Sequence, residues 1–212
     1  MGSPQAVRTR RAGSIAIVVV LFALLAAMLV AAAPAKAAAA KVVSGDTQLT
    51  IPKAQVSFLT TKNVAILPVS PVSFRFQWEP GVSWWFRLPQ ASGGTFDFTA
   101  KTGTLYHDGK LRFVNVSTTT NQNLLMGGLR VVFTKANSIA LSSALGTAPA
   151  TRAVVLAATN TPKYTKEGKT IRIEGIQFKL TDAGAFALKT VLGVDLVTTT
   201  LFADTDLQFK IK

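Results

Sequence analysis

The 212-residue chain has no cysteine, which excludes disulfides, thiol nucleophiles and thiolate metal sites, and its single histidine leaves little room for catalytic triads or zinc centres. Formal net charge is +13; Arg8, Arg10, Arg11 and Lys36 fall in the first 37 residues with no acid, so 23 less 4 leaves 19 basic against 10 acidic residues in the remainder, or +9. These cations are scattered singly along the body, which favours diffuse attraction to anionic polymer or lipid over a shaped nucleic-acid groove.

The chain opens with a targeting pattern. Three arginines precede the apolar stretch Ile15 to Val30, and Ala35-Lys36-Ala37 supplies a small-x-small cleavage site, so residues 1–37 read as a secretory signal peptide with an N-terminal signal helix. The apolar run to Ala33 is also long enough to span a bilayer, and an uncleaved anchor is the one route by which this sequence would hold a membrane. Either way residues 38–212 are expected outside the cytoplasm as a single domain, secreted or associated with the cell envelope, with no call for nucleic acid as a partner.

Composition of that body is rich in Thr, Val, Ala and Leu with period-two runs, which predicts a mainly β fold. The expected architecture is an antiparallel β-sandwich or curled sheet with two short α-helices, at about 53–62 and 182–192. Thr47–Ile51 reads as a strand, Pro52 suits a first helical turn, and Val56 and Leu59 lie one helical step apart within Lys53–Lys62. Asn63 closes that helix before the strand Val64–Leu67. Phe74, Phe76 and Trp78 then share a strand face, and beyond the Glu79-Pro80-Gly81 turn come Trp84, Trp85 and Phe86. This aromatic hairpin is either packed on the core or offers a platform for a flat ligand.

Asp108-Gly109 carries the sharpest turn signal, and a type I′ hairpin there pairs Leu105–His107 with Lys110–Phe113. That register sets Tyr106 opposite Leu111 on a core face and His107 opposite Lys110 on a surface face. Gly127-Gly128 turns into Leu129–Thr134, whose Leu129, Val131 and Phe133 share a face. Ser138–Leu145 and Arg152–Ala158 follow as strands, and Asn160–Gly168 reads as a mobile, protease-sensitive loop. In Thr170–Leu180 the apolar phase slips at Glu174-Gly175, which predicts a bulge on Gly175.

Thr181 is a good N-cap, Asp182 suits the first turn, Ala183–Leu192 is helical in composition, and Gly193 fits the C′ position before a strand Val194–Val197. The last strand, Thr205–Lys212, points Leu207, Phe209 and Ile211 inward. At an offset of 129, Gln48, Ile51, Ala54 and Leu59 fall on Gln177, Leu180, Ala183 and Leu188, and one inserted glycine brings Val64 onto Val194. Two related strand–helix–strand units are the reading this suggests.

Few residues offer chemistry. No GxSxG elbow, HExxH or phosphate loop occurs. Asp204 and Asp206 would share a strand face and could hold a hard cation, or simply be a solvated strand start. Glu79 and Glu167 are acids that could meet for hydrolysis only if the fold joined them. His107 as a metal or haem-iron ligand needs an open pocket beside the turn and a partner such as Tyr106 or Tyr164, whereas an exposed turn-flanking histidine needs neither.

Three segments, Gly103-Thr-Leu-Tyr-His-Asp-Gly-Lys-Leu111, Gly128-Leu-Arg-Val-Val-Phe133 and Lys179-Leu-Thr-Asp-Ala-Gly-Ala185, resemble the HtaA-type domain of secreted actinobacterial proteins. The resemblance runs from about Gly45 to Lys212. It implies a non-enzymatic β-rich domain with a short helix that binds haem at the cell surface through a tyrosine iron ligand supported by a hairpin histidine. His107 matches that histidine. The aromatic segment Ser73-Phe-Arg-Phe-Gln-Trp78 offers Phe74, Phe76 and Trp78, joined by Trp84, as the lining of an apolar pocket, but no tyrosine; Tyr106 counts with His107 among the ligand-binding residues, and His107 is the neighbour of the haem iron. The resemblance thus implies haem or another apolar ligand as partner. The alternative is a structural or interaction module that binds an anionic cell-envelope polymer or a surface protein without a small ligand.

Overall fold

The computed structural model describes residues 38–77, 82–117, 122–146, 151–195 and 200–212. Period-two alternation forces each strand to hide one face, and here the strands do so by wrapping around a common interior. In chain order they are β1 (Ala40–Ile51), β2 (Val64–Val69), β3 (Ser73–Gln77), β4 (Ser83–Pro89), β5 (Thr95–Asp97), β6 (Thr102–Tyr106), β7 (Lys110–Asn115), β8 (Asn123–Lys135), β9 (Ser138–Leu145), β10 (Thr151–Ala158), β11 (Lys163–Glu167), β12 (Thr170–Leu180) and β13 (Leu201–Ile211). Helices α1 (Lys53–Thr61) and α2 (Asp182–Leu192) follow β1 and β12.

The antiparallel order β12-β10-β9-β8-β6-β5-β1 is closed by β13, which pairs with both β1 and β12. The mainly β reading therefore holds, and the sheet curls far enough to meet itself, removing most of the open edge a flat sheet would expose. Strands β4 and β3 continue outward from β1, while β2 and β7 pair and extend β8. Aromatic rings fill the interior: Phe96 meets Phe133 at 5.2 Å and Phe209 at 5.3 Å, each edge to face.

Gly175 has φ +74 and the β12–β13 register shifts between Ile173 and Ile176, so the predicted bulge returns Ile176, Phe178 and Leu180 to the interior. Thr181 caps α2 by accepting from the Gly184 N–H at 3.1 Å, and Gly193 at φ +69 ends it. Because β1 and β12 both run antiparallel to β13 on its two sides, α1 and α2 leave the sheet at the same end. Leu59 and Leu188 are both sealed from solvent, as are the matched pairs Ile51 with Leu180 and Val64 with Val194. The two strand–helix units thus occupy matching places about β13. The predicted strand Val194–Val197 lies partly outside the described residues, and Val194 itself is buried coil.

Three local expectations are corrected. No hairpin forms at Asp108-Gly109: β6 and β7 both pair with β8, Tyr106 opposite Arg130 and Lys110 opposite Gly127, so the chain continues in one direction through a kink. Leu105, His107, Gly109, Leu111 and Phe113 keep one unbroken period of two, and a hairpin would have set buried Leu105 against exposed Arg112. The apolar phase outweighs the turn dipeptide, and it reverses the faces predicted for β6, with His107 inside and Tyr106 outside, while Leu111 inside and Lys110 outside stand as predicted. Gly127-Gly128 likewise is no turn but a register shift within continuous β8. Asn160–Gly168, expected as a mobile loop, contains β11, which pairs with β12 from Lys163 opposite Glu174 to Glu167 opposite Thr170.

Candidate functional site

The kink between β6 and β7 is pinned on both sides. His107 N–H donates to the Leu129 carbonyl at 3.0 Å, Asp108 N–H to Pro89 at 3.0 Å, and the Tyr106 carbonyl accepts from Ala91 N–H at 2.8 Å. Gly109 turns the chain at φ +86 where a Cβ would lie 2.6 Å from Val72 Cγ2, so only glycine passes without displacement. These bonds drive the His107 ring into the interior, where it is 5 % exposed. Its Nε2 lies 2.6 Å from Thr47 Oγ1. Nδ1 has no hydrogen-bond partner among the described residues, and neither do the side-chain amide atoms of Gln90, which bridges His107 across the strands.

Burial lowers the imidazole pKa to about 4, the Leu129 backbone opposing it in part, so the ring is neutral at physiological pH. The nearby interior, lined by Leu49, Leu88, Leu111 and Leu129, leaves a cavity of about 20 Å³. That is room for about one water, against the roughly 300 Å³ or more of a small-molecule pocket. The His107 ring is thus enclosed, with one nitrogen engaged by Thr47, and the side chain of the adjacent Tyr106 lies on the opposite face of the strand. Tyr106 points outward with the Arg130 guanidinium 5.0 Å from its ring centre. Tyr164 donates its hydroxyl to the Ala136 carbonyl at 2.7 Å, and burial pushes its pKa up to about 12.

Aromatic residues gather elsewhere. On β3 and β4, Phe74 packs against Phe86 at 4.9 Å and meets Phe76 edge to face at 4.6 Å, and Phe76 pairs across the strands with Trp84. Phe76 is 55 % exposed while Phe74 and Trp84 are half-buried. Trp85 faces the other way, with Arg75 5.7 Å from its ring. Trp78 and Glu79 lie outside the described residues. Trp84 pairs with Ile51, whereas the Thr47 that holds His107 pairs with Leu88, four residues along the same strands. At about 3.3 Å per residue this separates the two by about 13 Å. Phe74, Phe76 and Trp84 are therefore brought together, and His107 is not among them.

Asp206 accepts a hydrogen bond from the Gly175 N–H at 2.7 Å and so holds the bulge, while burial and then the neighbouring Asp206 raise the Asp204 carboxyl pKa. No group of three His, Asp or Glu side chains able to hold a metal ion occurs among the described residues. Thr47 and Gln90 were not singled out from the sequence. Thr47 was legible as an inward position, in phase with Leu49 and Ile51, but nothing in the sequence showed that it would meet residue 107.

The geometry defines a closed antiparallel β sheet with an apolar interior and a helix after each of the two strands flanking the last one. That fold is the HtaA-domain fold. The C-terminal domain of HtaA from Corynebacterium glutamicum matches with a TM-score of 0.55 at 14 % identity over 80 % of this chain and 100 % of that one. The N-terminal domain of the same protein matches at TM-score 0.52 and 16 % identity, over 80 % and 99 %. A domain-swapped dimer of a histidine-to-alanine variant of the C-terminal domain matches at 0.51 and 13 %, over 75 % and 93 %. No family model and no curated protein matches the sequence. No helix among the described residues is long and apolar enough to cross a membrane.

Proposed function

We propose that the protein is an exported, non-enzymatic binding module of the cell envelope, with residues 1–37 as its leader and 38–212 as its one domain, and that it takes a flat apolar ligand on the face formed by Phe74, Phe76 and Trp84. The observation that carries this reading is the aromatic group itself, Phe74 packed on Phe86 and edge to face on Phe76 with Trp84 opposite, on a part of the sheet where Phe76 keeps 55 % of its surface exposed, since apolar surface gathered in one place marks contact sites. The HtaA-domain fold supports a ligand of the haem type, taken by stacking on this face and not by His107, whose ring is enclosed. A second reading, an interaction module for an anionic envelope polymer or a surface protein with no small ligand, is favoured by the filled interior.

Titrating residues 38–212 with haemin, followed by tryptophan fluorescence and Soret absorbance, separates the two. Saturable quenching near one equivalent that weakens in Phe76→Ser and survives in His107→Ala supports the aromatic face. Absence of saturable quenching leaves the interaction module.

A further inference from the structure

The outer wall of the sheet carries a feature that does not depend on the apolar face. Strand register brings together three cations that lie far apart in sequence. Tyr106 on β6 pairs with Arg130 on β8, Arg130 with Ser142 on β9, and Ala144 on β9 with Arg152 on β10, while Lys110 on β7 pairs with Gly127. Small residues form the floor on which these long side chains lie. A Cβ on Gly127 would stand 3.3 Å from Lys110 Cγ, and one on Gly128 3.0 Å from Arg152 Nη2, so the glycine pair leaves the space that both cations use.

Arg152 is oriented, not loose. Its Nη1 donates to the Gly128 carbonyl at 3.0 Å and reaches Ser142 Oγ at 3.4 Å. Arg130 is held by its position over the Tyr106 ring, 5.0 Å from the centre. The two guanidinium groups sense each other: burial first and then Arg130 lower the Arg152 pKa, with Tyr106 acting the opposite way. No carboxylate among the described residues forms an ion pair with them. The ion pairs among the described residues are Arg87 with Asp46, Lys163 with Glu174 and Lys189 with Asp195, and none lies in this patch. Asp108, exposed and two residues from Lys110, makes no ion pair there. Like charges held together without a counter-charge cost free energy in the empty state, and an anion placed among them recovers it.

We infer that Lys110, Arg130 and Arg152, with the Tyr106 hydroxyl beside them, form a binding site on the outer wall for a phosphoryl group. Two planar guanidinium forks and an ammonium suit an anion with several oxygens and more than one charge better than a single carboxylate. The phosphoryl group could be carried by a soluble phosphate, an envelope polymer or a lipid headgroup, all of which share the recognised chemistry.

The test uses the full 212-residue chain in neutral-detergent micelles, titrated calorimetrically with inorganic phosphate and separately with acetate. Saturable phosphate binding, tighter than acetate and weakened at least about tenfold in Arg130→Gln and in Arg152→Gln, is expected, because each substitution removes charge-assisted hydrogen bonds. Lys210→Gln, an exposed cation on β13, should leave it unchanged. Binding that never saturates, that prefers acetate, or that falls equally in Lys210→Gln overturns the site and leaves only diffuse attraction. Circular dichroism verifies folding, and Arg152→Lys, which keeps the charge and loses the fork, should bind more weakly than the wild type and more tightly than Arg152→Gln. Micelles doped with short-chain phosphatidic acid that compete with inorganic phosphate point to a headgroup. Phosphate binding without that competition points to a soluble or polymer-borne group.

Discussion

His107 is the sole histidine of the chain, so its burial can be read from stability without interference from another imidazole. Its pKa is about 4 in the folded protein, against about 6.5 in an unfolded chain. Because the folded value is the lower one, the unfolded state binds the extra proton, and stability present above pH 6.5 is lost as pH falls toward 4. The loss amounts to about 1.4 kcal/mol per pH unit inside that window, hence about 2 kcal/mol between pH 7.5 and pH 5 and about 3 kcal/mol near pH 4. Asp204 opposes it at the acid end, since a carboxyl whose folded pKa is raised gains stability as pH falls. Urea unfolding of residues 38–212 at half-unit steps from pH 7.5 to 5 measures the slope. In His107→Phe the absolute stability will differ, because Thr47 loses its partner, but the pH-dependent part attributed to the ring should vanish. If wild type and variant lose the same stability over that range, the ring is solvated, and the enclosed placement argued for it is wrong.

Other outcomes follow from single features of the fold. Leu59→Ala removes a sealed side chain from α1 and should cost about 2–5 kcal/mol in chemical denaturation. Gly109→Ala forces a side chain into Val72 at a positive φ and should destabilise by about 1–3 kcal/mol, whereas Gly168→Ala, with open space around it, should show only the backbone part of that cost. Thr181→Ala loses the α2 cap as well as a 2.6 Å bond to the Val154 carbonyl, so at least about 1 kcal/mol is expected from thermal unfolding. Limited trypsin digestion should spare Lys163 and Lys166, because β11 is hydrogen-bonded to β12; early cleavage at either would restore the mobile loop that composition suggests.

How much of this was readable in advance depended on the range of the interaction involved. The N-cap at Thr181, the left-handed stop at Gly193, the bulge at Gly175 and the inward set Leu207, Phe209 and Ile211 are decided by a few neighbouring residues, and local preferences settle them correctly. The Asp108-Gly109 hairpin failed although its signal was local and strong. A longer pattern, the same phase from Leu105 to Phe113, was also in the sequence and carried more buried area. The β11 strand was missed because its polar side chains bury little, and its order comes from main-chain bonds to β12 that composition does not encode.

By itself, then, the sequence determined a cysteine-free β body and two short helices, the second of them capped at Thr181, because redox chemistry, period and caps are properties of short stretches. Tertiary structure alone decided that His107 faces Thr47, 60 residues away, and that the aromatic face stands apart from it. It also decided that Lys110 lies over Gly127 and Arg152 over Gly128, with Arg130 over the Tyr106 ring. The physical reason is register: which residues lie side by side across strands is fixed by how the whole sheet closes to bury its interior, and no single strand carries that information.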